Sequence, residues 1–443
     1  MKRDYDVVII GGGTAGSVAA LAAARQGVKV LLVEFGANLG GLAAIGMTWG
    51  GFFDNNYKRI IGGIPHELVE KSVKIGGRGY FEYHGSDKWI TSLASVDPEA
   101  IRYVLEDELY QAGCDIMLFS ALSEVMFDNG SIQSVIITSK ISKIECSAKI
   151  FIDATGDATL ADMIGVKWEH ASENLSQCVS NMFRICNVDM KEYEKFLQEH
   201  INTEGKDPWR TETGTIRRGI GYWCPWKHDG FENMPKSLGI YFHGKQGDVI
   251  LNCTSASINP LDIFELSRAN YELRKEAFHV LDYLKGKVPA FKNSYISQIY
   301  DVGVREGRRI IGDTTITLDD IVNHNPFNDK IGMGAYPPDI HYPDGEVHIS
   351  STSKWKEDSD GAYDIPISCM TAAQCSNLMV VGRCISATFE AQSALRGIGP
   401  CMVEGEGAGT AAAQFVDSDL KDIRDINIIN LQSTLKNNGV ILG

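Results

Sequence analysis

The first 34 residues constrain the fold most strongly, because they combine two strand patterns, a glycine turn and a helix in a fixed order. Residues 7–10 form an apolar, β-branched run that is typical of a buried strand. The pattern G-x-G-x-x-G follows at once, with glycines at Gly11, Gly13 and Gly16. Small residues up to Gly27 predict a helix, and residues 28–33 predict a second strand. The chain therefore begins with a parallel βαβ unit.

The three glycines have separate physical tasks in such a unit. Gly11 makes the tight turn, Gly13 lets a pyrophosphate approach the backbone, and Gly16 lets the helix pack closely on the strand. The helix N-terminus offers free N–H groups and the positive end of its dipole to phosphates. Glu34 ends the second strand, where a carboxylate accepts hydrogen bonds from ribose hydroxyls. We therefore predict dinucleotide binding, with an ordinary βαβ unit as the alternative.

Length and composition limit the remaining possibilities. A chain of 443 residues exceeds one compact core, so we expect two lobes. The net charge of −15 disfavours nucleic acids and anionic membranes as partners. The ten cysteines show neither C-x-x-C nor metal-ligand spacing, which predicts no metal site and a cytoplasmic location. The N-terminus enters a strand directly and no apolar run has the length of a membrane span, so we expect neither a secretory signal nor a membrane anchor.

Two segments leave alternatives open. Residues 39–51 are rich in glycine and lack periodicity, which fits either a backbone lying along a long, flat cofactor or a surface loop. Residues 76–95 are rich in aromatic side chains, which fits either a pocket wall or packed core below a loop.

Local signals predict several further elements. Asp97 followed by Pro98 starts a helix that ends at Gly113, and Asn129-Gly130 marks a hairpin. Asn259 is expected to cap a long helix, and Thr317 to begin a capping box. Other predicted helices cover residues 65–74, 189–200 and 404–415, and other predicted strands cover residues 116–119, 149–153, 181–185, 238–253, 295–304 and 377–383.

Several blocks of sequence together resemble the FAD-dependent oxidoreductases related to fumarate reductase flavoproteins and to the flavin subunit of heterodisulfide reductase. The first block is the glycine unit above, which many flavoproteins share. More specific are DATGD at 153–157, REGRRIIG at 305–312 and VVGRCIS at 380–386, in this order, followed by the glycine-rich segment 395–413. The resemblance covers nearly the whole chain.

The resemblance implies FAD as the cofactor and an α/β fold. The expected architecture is a Rossmann-like FAD-binding domain of the glutathione reductase type, made of residues 1–165 and 369–443, with residues 166–368 as an inserted α+β substrate lobe. By the resemblance, the residues around FAD are Gly11, Gly13, Thr14, Ala15, Gly16, Glu34, Gly40, Gly41, Ala154, Thr155, Gly156, Gly382, Arg383, Pro400, Cys401 and Met402. The family helix usually reads GQAAG, and its departure here would bring Glu406 near the flavin.

Arginine, histidine and tyrosine side chains are the candidates for catalysis. A substrate carboxylate or carbonyl favours arginine forks, which Arg305 and Arg396 could supply. Arg308 and Arg309 fit equally well as partners of core carboxylates. Proton donors or acceptors are sought among Tyr222, His243, His66 and His84, each of which has a structural role as its alternative.

The sequence thus predicts an FAD-dependent oxidoreductase that transfers a hydride between flavin N5 and a small organic substrate, by C=C reduction or CH dehydrogenation. The chain has one glycine fingerprint and no redox cysteine pair, so electrons come from the substrate, from a transiently bound reductant or from a redox partner protein. One alternative is an electron-transferring flavoprotein subunit that works with an iron–sulfur partner. Another is a tRNA-modifying flavoprotein, which the acidic charge disfavours.

Overall fold

A computed structural model gives the architecture of the chain. It describes residues 2–77, 79–82, 91–171, 176–201, 239–242, 247–342, 347–349 and 360–443. Tyr222, His243 and His84 lie outside the described residues. Helices and strands are numbered below in chain order.

The described helices are α1 (Thr14–Arg25), α2 (Gly63–Ile75), α3 (Pro98–Gln111), α4 (Thr159–Met163), α5 (Met190–Ile201), α6 (Ile263–Lys287), α7 (Leu318–Asn323), α8 (Phe389–Leu395), α9 (Ile398–Val416) and α10 (Ile428–Asn437). The first eleven strands are β1 (Lys2–Asp4), β2 (Val7–Ile10), β3 (Val30–Val33), β4 (Trp49–Gly50), β5 (Gly79–Glu82), β6 (Ser92–Ser95), β7 (Asp115–Met117), β8 (Ser120–Asp128), β9 (Ser131–Ser139), β10 (Lys143–Ser147) and β11 (Ile150–Asp153). The others are β12 (Trp168–Glu169), β13 (Met182–Cys186), β14 (Gly239–Phe242), β15 (Val249–Asn252), β16 (Tyr295–Ile299), β17 (Arg309–Ile310), β18 (Lys330–Gly334), β19 (Asp339–His341), β20 (Val347–Ile349), β21 (Tyr363–Pro366) and β22 (Leu378–Val380).

A five-stranded parallel sheet is the centre of the fold. Its order is β22-β11-β2-β3-β7, and every neighbouring pair runs parallel. Both faces are buried, which explains why β2 and β3 are apolar at every position. The sheet confirms the predicted α/β class with a Rossmann-like arrangement.

Alternate residues of the central strands enter two different cores. Val7 and Ile9 pack with helices α1 and α9 on one face. Val8 and Ile10 pack on the other face with apolar side chains of the sheet β1-β10-β9-β8. The parallel sheet is thus the middle of three layers.

Helices α1 and α9 approach each other through glycines at a spacing of four. A Cβ placed on Gly405 would lie 2.2 Å from the carbonyl oxygen of Ala15, and one on Gly409 would lie 2.2 Å from that of Ala19. Residues four apart share one helix face, so both glycines meet the same partner helix. The backbones are therefore in contact, and the N-termini of the two helices are held in a fixed relation.

A second lobe has its own core. Its antiparallel sheet has the order β14-β15-β13-β16. Phe183, Leu251, Ala277 and Phe291 are among the apolar side chains that pack between this sheet and helices α5 and α6. The elements of this lobe come from residues between Met182 and Ile299.

The packing places part of the expected insertion with the first lobe. Ile316, Ile331 and Ile365 belong to the same core as α1 and α9. Strand β18 pairs with β21 and lies against α9. Described residues between 316 and 367 thus share the core of the first lobe.

The capping signals are mostly where the sequence placed them. Asp97 accepts hydrogen bonds from the backbone N–H groups of Glu99 and Ala100 at the start of α3. Thr317 forms the predicted capping box. The cap of α6 is Asp262, three residues later than the expected Asn259, because the Asp262 carboxylate accepts from the first-turn N–H groups.

No helix among the described residues combines the length and the apolar character that a membrane crossing requires.

The α1–α9 contact predicts opposite effects for two glycine substitutions. Gly405→Ala should lower the unfolding midpoint, because its Cβ meets backbone atoms and overpacking costs roughly 1–3 kcal/mol. Gly286→Ala in the exposed C-terminal turn of α6 is the matched control, since its Cβ would meet no atom within 4 Å. That control should be neutral or stabilising by up to about 1 kcal/mol. Thermal unfolding followed by circular dichroism compares the two variants, and equal midpoints would contradict the close packing.

Candidate functional site

A cavity of about 600 Å³ opens at the carboxyl ends of the parallel strands. The segments after β2, β3, β11 and β22 all contribute lining residues, which is where open α/β sheets bind ligands. The second lobe closes the opposite side with residues that include Met182, Tyr241 and Asn252. The cavity therefore lies between the two lobes.

The glycine loop after β2 forms one end of the cavity. Gly11 has φ +107°, and a Cβ on it would lie 2.3 Å from the carbonyl oxygen of Ala154. A Cβ on Gly16 would lie 1.9 Å from the carbonyl oxygen of Gly11, so Gly16 serves helix packing and does not line the cavity. A Cβ on Gly13 would meet no protein atom within 4 Å. The loop thus leaves open space at Gly13, where the sequence predicts a pyrophosphate.

Glu34 fixes the shape of this loop. Its Oε2 accepts from the backbone N–H of Gly12 at 2.7 Å, and its Oε1 accepts from that of Gly36 at 2.5 Å. Glu34 also lines the cavity.

The segment after β11 is held by a buried carboxylate. Asp153 accepts from the Thr155 backbone N–H at 3.0 Å, from the Thr155 hydroxyl at 2.7 Å and from the Ala161 N–H at 3.0 Å. Burial raises the pKa of Asp153 despite these bonds. The result is a rigid turn that presents Ala154, Thr155 and Gly156 to the cavity.

Arg383 connects this turn to the segment after β22. Its guanidinium donates to Asp157 Oδ1 at 2.7 Å and to the carbonyl oxygen of Val304 at 2.9 Å. Gly382 and Arg383 both line the cavity. The charge of Arg383 is thus balanced by Asp157.

The N-terminus of α9 reaches the middle of the cavity. The helix begins at Ile398, earlier than expected, and Gly397, Ile398 and Cys401 are lining residues. Burial raises the pKa of the Cys401 thiol well above its usual value, so the side chain is a neutral, small apolar group.

Three further predicted cofactor residues are outside the cavity lining. Pro400 and Met402 belong to the first turns of α9, and both are buried. Gly40 has φ +90° and packs against Leu105 and Ala44 behind the lining. Two predicted cofactor residues next to them in sequence do line the cavity, namely Gly41 and Cys401.

Two glutamates on α9 are buried outside the cavity lining. Glu404 accepts from the backbone N–H of Gly382 at 2.7 Å, and burial raises its pKa well above the usual value. Glu406 accepts from the N–H of Ile64 at 3.1 and 3.2 Å, at the start of α2. Burial raises the pKa of Glu406 to about 8. The expected position of Glu406 beside the flavin is therefore wrong, because this side of α9 faces α2.

A polar cluster forms the other end of the cavity. Arg305, Arg396, Tyr336, Asp339 and His341 all line it. Asp339 Oδ2 accepts from the Tyr336 hydroxyl at 3.2 Å and lies 3.2 Å from His341 Nε2. Arg396 lies 3.8 Å from the same oxygen. The two arginines that the sequence singled out therefore meet in one site.

The electrostatics of the cluster are dominated by burial and by the two arginines. Burial, with Arg305, lowers the pKa of His341 below its usual value. Burial alone would raise the pKa of Asp339, but His341 and both arginines reverse this and hold it below its usual range. Burial, with Arg396 nearby, lowers the pKa of Arg305 to about 10. At neutral pH the cluster contains two guanidinium ions, one carboxylate and a neutral imidazole.

Other candidates have structural roles. Arg309 pairs with buried Glu306 at 2.5 Å, and Arg308 lies 3.2 Å from Asp162 and packs over the Trp168 ring. The pairing with a core carboxylate is therefore observed for Arg309, whereas the carboxylate beside Arg308 is partly exposed. His66 contacts the Tyr80 hydroxyl at 3.0 Å and is absent from the cavity lining.

Sequence analysis missed Tyr336, Asp339 and His341. The sequence feature that could have indicated the pair is the D-x-H pattern at residues 339–341. On a strand, this spacing places both side chains on one face. A two-residue spacing is common, so only the fold shows that this face meets Arg305 and Arg396.

Comparison with known families decides the assignment. The model of the FAD dependent oxidoreductase family matches residues 6–435. The chain belongs to this family. It is therefore an FAD-dependent oxidoreductase, as the resemblance of its sequence blocks predicts.

Relatives at the sequence level are distant. Digeranylgeranylglycerophospholipid reductase 2 of Methanothermobacter thermautotrophicus is 26% identical over 229 residues, which are 49% of this chain and 56% of that protein. Thiamine thiazole synthase of Methanococcus aeolicus is 29% identical over 175 residues, 38% of this chain and 60% of that protein. The chain spans little more than half of the length of these curated relatives.

Solved structures share the fold of this FAD-dependent oxidoreductase. A geranylgeranyl bacteriochlorophyll reductase-like protein from Thermoplasma acidophilum has a TM-score of 0.51 at 16% identity, covering 99% of this chain and 85% of its own. The flavin-dependent brominase Bmp2 has a TM-score of 0.51 at 13% identity, covering 98% and 83%. At such identities the likeness shows the fold alone.

The burial of Glu406 predicts a pH dependence of stability. Its folded pKa of about 8 exceeds the usual 4.5, so the folded state binds more protons than the unfolded state between these values. Stability should therefore fall as the pH rises from about 4.5 to about 8. Glu406→Gln keeps an acceptor for Ile64 N–H and removes the ionisation, so the fall should be shallower.

Denaturant midpoints measured across this pH range test the prediction. Glu272→Gln on the exposed face of α6 is the control and should retain the wild-type slope. A wild-type slope in Glu406→Gln would contradict the assigned pKa.

Proposed function

We propose that this oxidoreductase transfers a hydride between flavin N5 and a carbon atom of a small organic substrate, by C=C reduction or CH dehydrogenation. One observation carries the proposal: a single cavity joins the glycine loop at Gly13 to the polar cluster around Arg305 and Arg396. A cofactor lying along the loop therefore ends beside groups that can bind a polar substrate.

The chain's own residues fit FAD. The open space at Gly13 and the N–H groups at the start of α1 suit the pyrophosphate, and Glu34 suits the adenosine ribose. The residues at Ala154 to Gly156 suit the adenine half. The N-terminus of α9, with its positive dipole end, suits the electron-rich edge of the isoalloxazine.

The polar cluster would bind and orient the substrate. Arg305 and Arg396 are placed to hold a carboxylate or carbonyl oxygen. His341 and Tyr336 bear exchangeable protons at the same end of the cavity. FAD, when bound, supplies the hydride chemistry itself.

Finer expectations from the sequence remain part of the proposal. The first is a nearer relation of the chain to fumarate reductase flavoproteins and the heterodisulfide reductase flavin subunit. The second is a location in the cytoplasm. The third is that a redox partner protein or an external reductant supplies the electrons. The electron-transferring alternative gains no support from the cavity, because a subunit that only passes electrons has no need of a substrate cluster.

The decisive experiment is an absorbance spectrum of the purified protein before and after denaturation, followed by anaerobic mixing with NADH, NADPH and dithionite. Released FAD supports the cofactor proposal, and protein that neither contains nor takes up flavin would refute it. Fast reduction by a nicotinamide indicates a stand-alone reductase. Reduction by dithionite alone indicates that a substrate or a partner protein supplies the electrons, and a screen for substrates that bleach the flavin comes next.

A methyl group at position 13 should weaken the binding of FAD and leave the folding of the protein unchanged. Gly13→Ala places its Cβ in open space, so the fold should persist, while the pyrophosphate loses its close approach to the backbone. We expect FAD affinity to fall at least about tenfold, which corresponds to about 1.4 kcal/mol. Fluorescence titration of the apoprotein with FAD measures the loss.

The control for this variant is the midpoint of apoprotein unfolding, which should match that of the wild type. An unchanged FAD affinity would show that the pyrophosphate does not pass Gly13.

A further inference from the structure

The polar cluster contains more positive charge than its own carboxylate balances. The Arg305 guanidinium makes no ion pair with any described residue, and its only hydrogen bond within that part of the chain goes to the carbonyl oxygen of Cys178 at 2.7 Å. Asp339 acts on Arg305 at longer range and is shared by Arg396, His341 and Tyr336. A partly buried guanidinium without an ion pair of its own is unfavourable, which indicates that a further anion belongs at this place.

The hydrogen bonding of Arg396 is a second observation that points to a missing anion. Its NH2 group donates to Gln177 Oε1 at 3.1 Å and to the carbonyl oxygen of Asp339. Its buried Nε donates to no described atom. Buried donors in folded proteins almost always have acceptors, so the donor set of this arginine is incomplete.

We propose that Arg305, Arg396 and His341 form an anion subsite that takes the carboxylate of an organic acid as substrate. The inference rests on the proposed function and narrows its substrate class from a carboxylate or carbonyl compound to an acid. Two guanidinium ions against one carboxylate leave one positive charge, which matches one carboxylate of the substrate. Asp301 also lines the cavity, but it is exposed and forms no ion pair with the described residues.

His341 makes the subsite sensitive to pH. Its Nε2 contacts Asp339, and its other ring nitrogen has no partner among the described residues. The charged groups that act on it are Asp339, Arg305 and Arg396. Helix α8 adds the uncharged Ser393, whose hydroxyl accepts from the Asp339 N–H at 3.1 Å, and β20 carries His348 opposite Ile340. Burial lowers the pKa of His341, so the ring is neutral at neutral pH and adds a positive charge when it is protonated in acidic solution.

Carboxylate probes with uncharged analogues test the subsite on the FAD-loaded protein. Acetate and benzoate are titrated beside acetamide and benzamide, and binding is read from the flavin difference spectrum. We expect the acids to bind at least about tenfold more tightly than the amides, because a charge-assisted hydrogen bond to a guanidinium is stronger than a neutral one. Amides that bind as tightly as the acids would overturn the proposal.

Substitutions of single arginines test which guanidinium binds the carboxylate of the probe. Arg305→Gln should raise the Kd of benzoate at least about tenfold, and Arg305→Lys, which keeps the charge, should raise it less. The matched control is Arg308→Gln, three residues along the same segment and outside the cavity lining, which should leave the Kd unchanged. An equal effect of the Arg305 and Arg308 substitutions to glutamine would overturn the proposal.

The pH dependence of benzoate binding tests whether His341 belongs to the subsite. The Kd of benzoate should fall as the pH is lowered from about 8 to about 5.5, where the probe remains ionised, and this fall should be lost in His341→Gln. A wild-type pH dependence in that variant would remove His341 from the subsite.

One outcome assigns the arginine to the cofactor instead. If Arg305→Gln lowers the flavin midpoint potential and leaves the benzoate Kd unchanged, its charge serves the flavin and the substrate subsite is refuted. If the protein holds no flavin, the proposed function fails by itself. Isothermal titration with acetate and acetamide still tests the anion subsite in that case.

Discussion

The backbone contact between α1 and α9 is the constraint on which the site depends. Gly405 and Gly409 allow it, since any side chain at either position would meet a carbonyl oxygen of α1. Helix α1 begins at the glycine loop, and α9 begins beside the polar cluster. Fixing the two helices together therefore fixes the distance between the two ends of the cavity, and with it the position of a cofactor relative to a substrate.

Buried carboxyl groups stabilise the loops that this framework supports. Asp153 shapes the turn after β11, Glu404 holds the N–H of Gly382, and Glu306 accepts from the N–H groups of Ala171 and Gln177. Glu404 and Glu306 connect segments distant in sequence, whereas Asp153 acts within its own turn, and all three lie outside the cavity lining. These three buried carboxyl groups thus serve the architecture, whereas two arginines lie where the substrate is proposed to bind.

The contrast between arginines in one segment shows how burial and pairing assign roles. Arg305, Arg308 and Arg309 occur within five positions of one another. Arg308 and Arg309 have carboxylate partners and support the fold, while Arg305 has none among the described residues and faces the cavity. All three are arginines in one short segment, so the residue type does not distinguish their roles. Only the surrounding structure does.

The sequence by itself determined the glycine loop, the parallel βαβ unit and most capped helices, because these depend on local backbone geometry and on short-range periodicity. It indicated FAD as the cofactor only through the resemblance of several sequence blocks to a flavoprotein family. Only the tertiary structure decided which polar residues share a site. Arg305, Arg396 and the pair Asp339–His341 lie far apart along the chain and meet through the packing of β19, α8 and α9. The same long-range packing turned Glu406 towards α2 and Met402 into the core. Helical periodicity shows which residues share a face, but the direction of that face is set by the neighbouring elements.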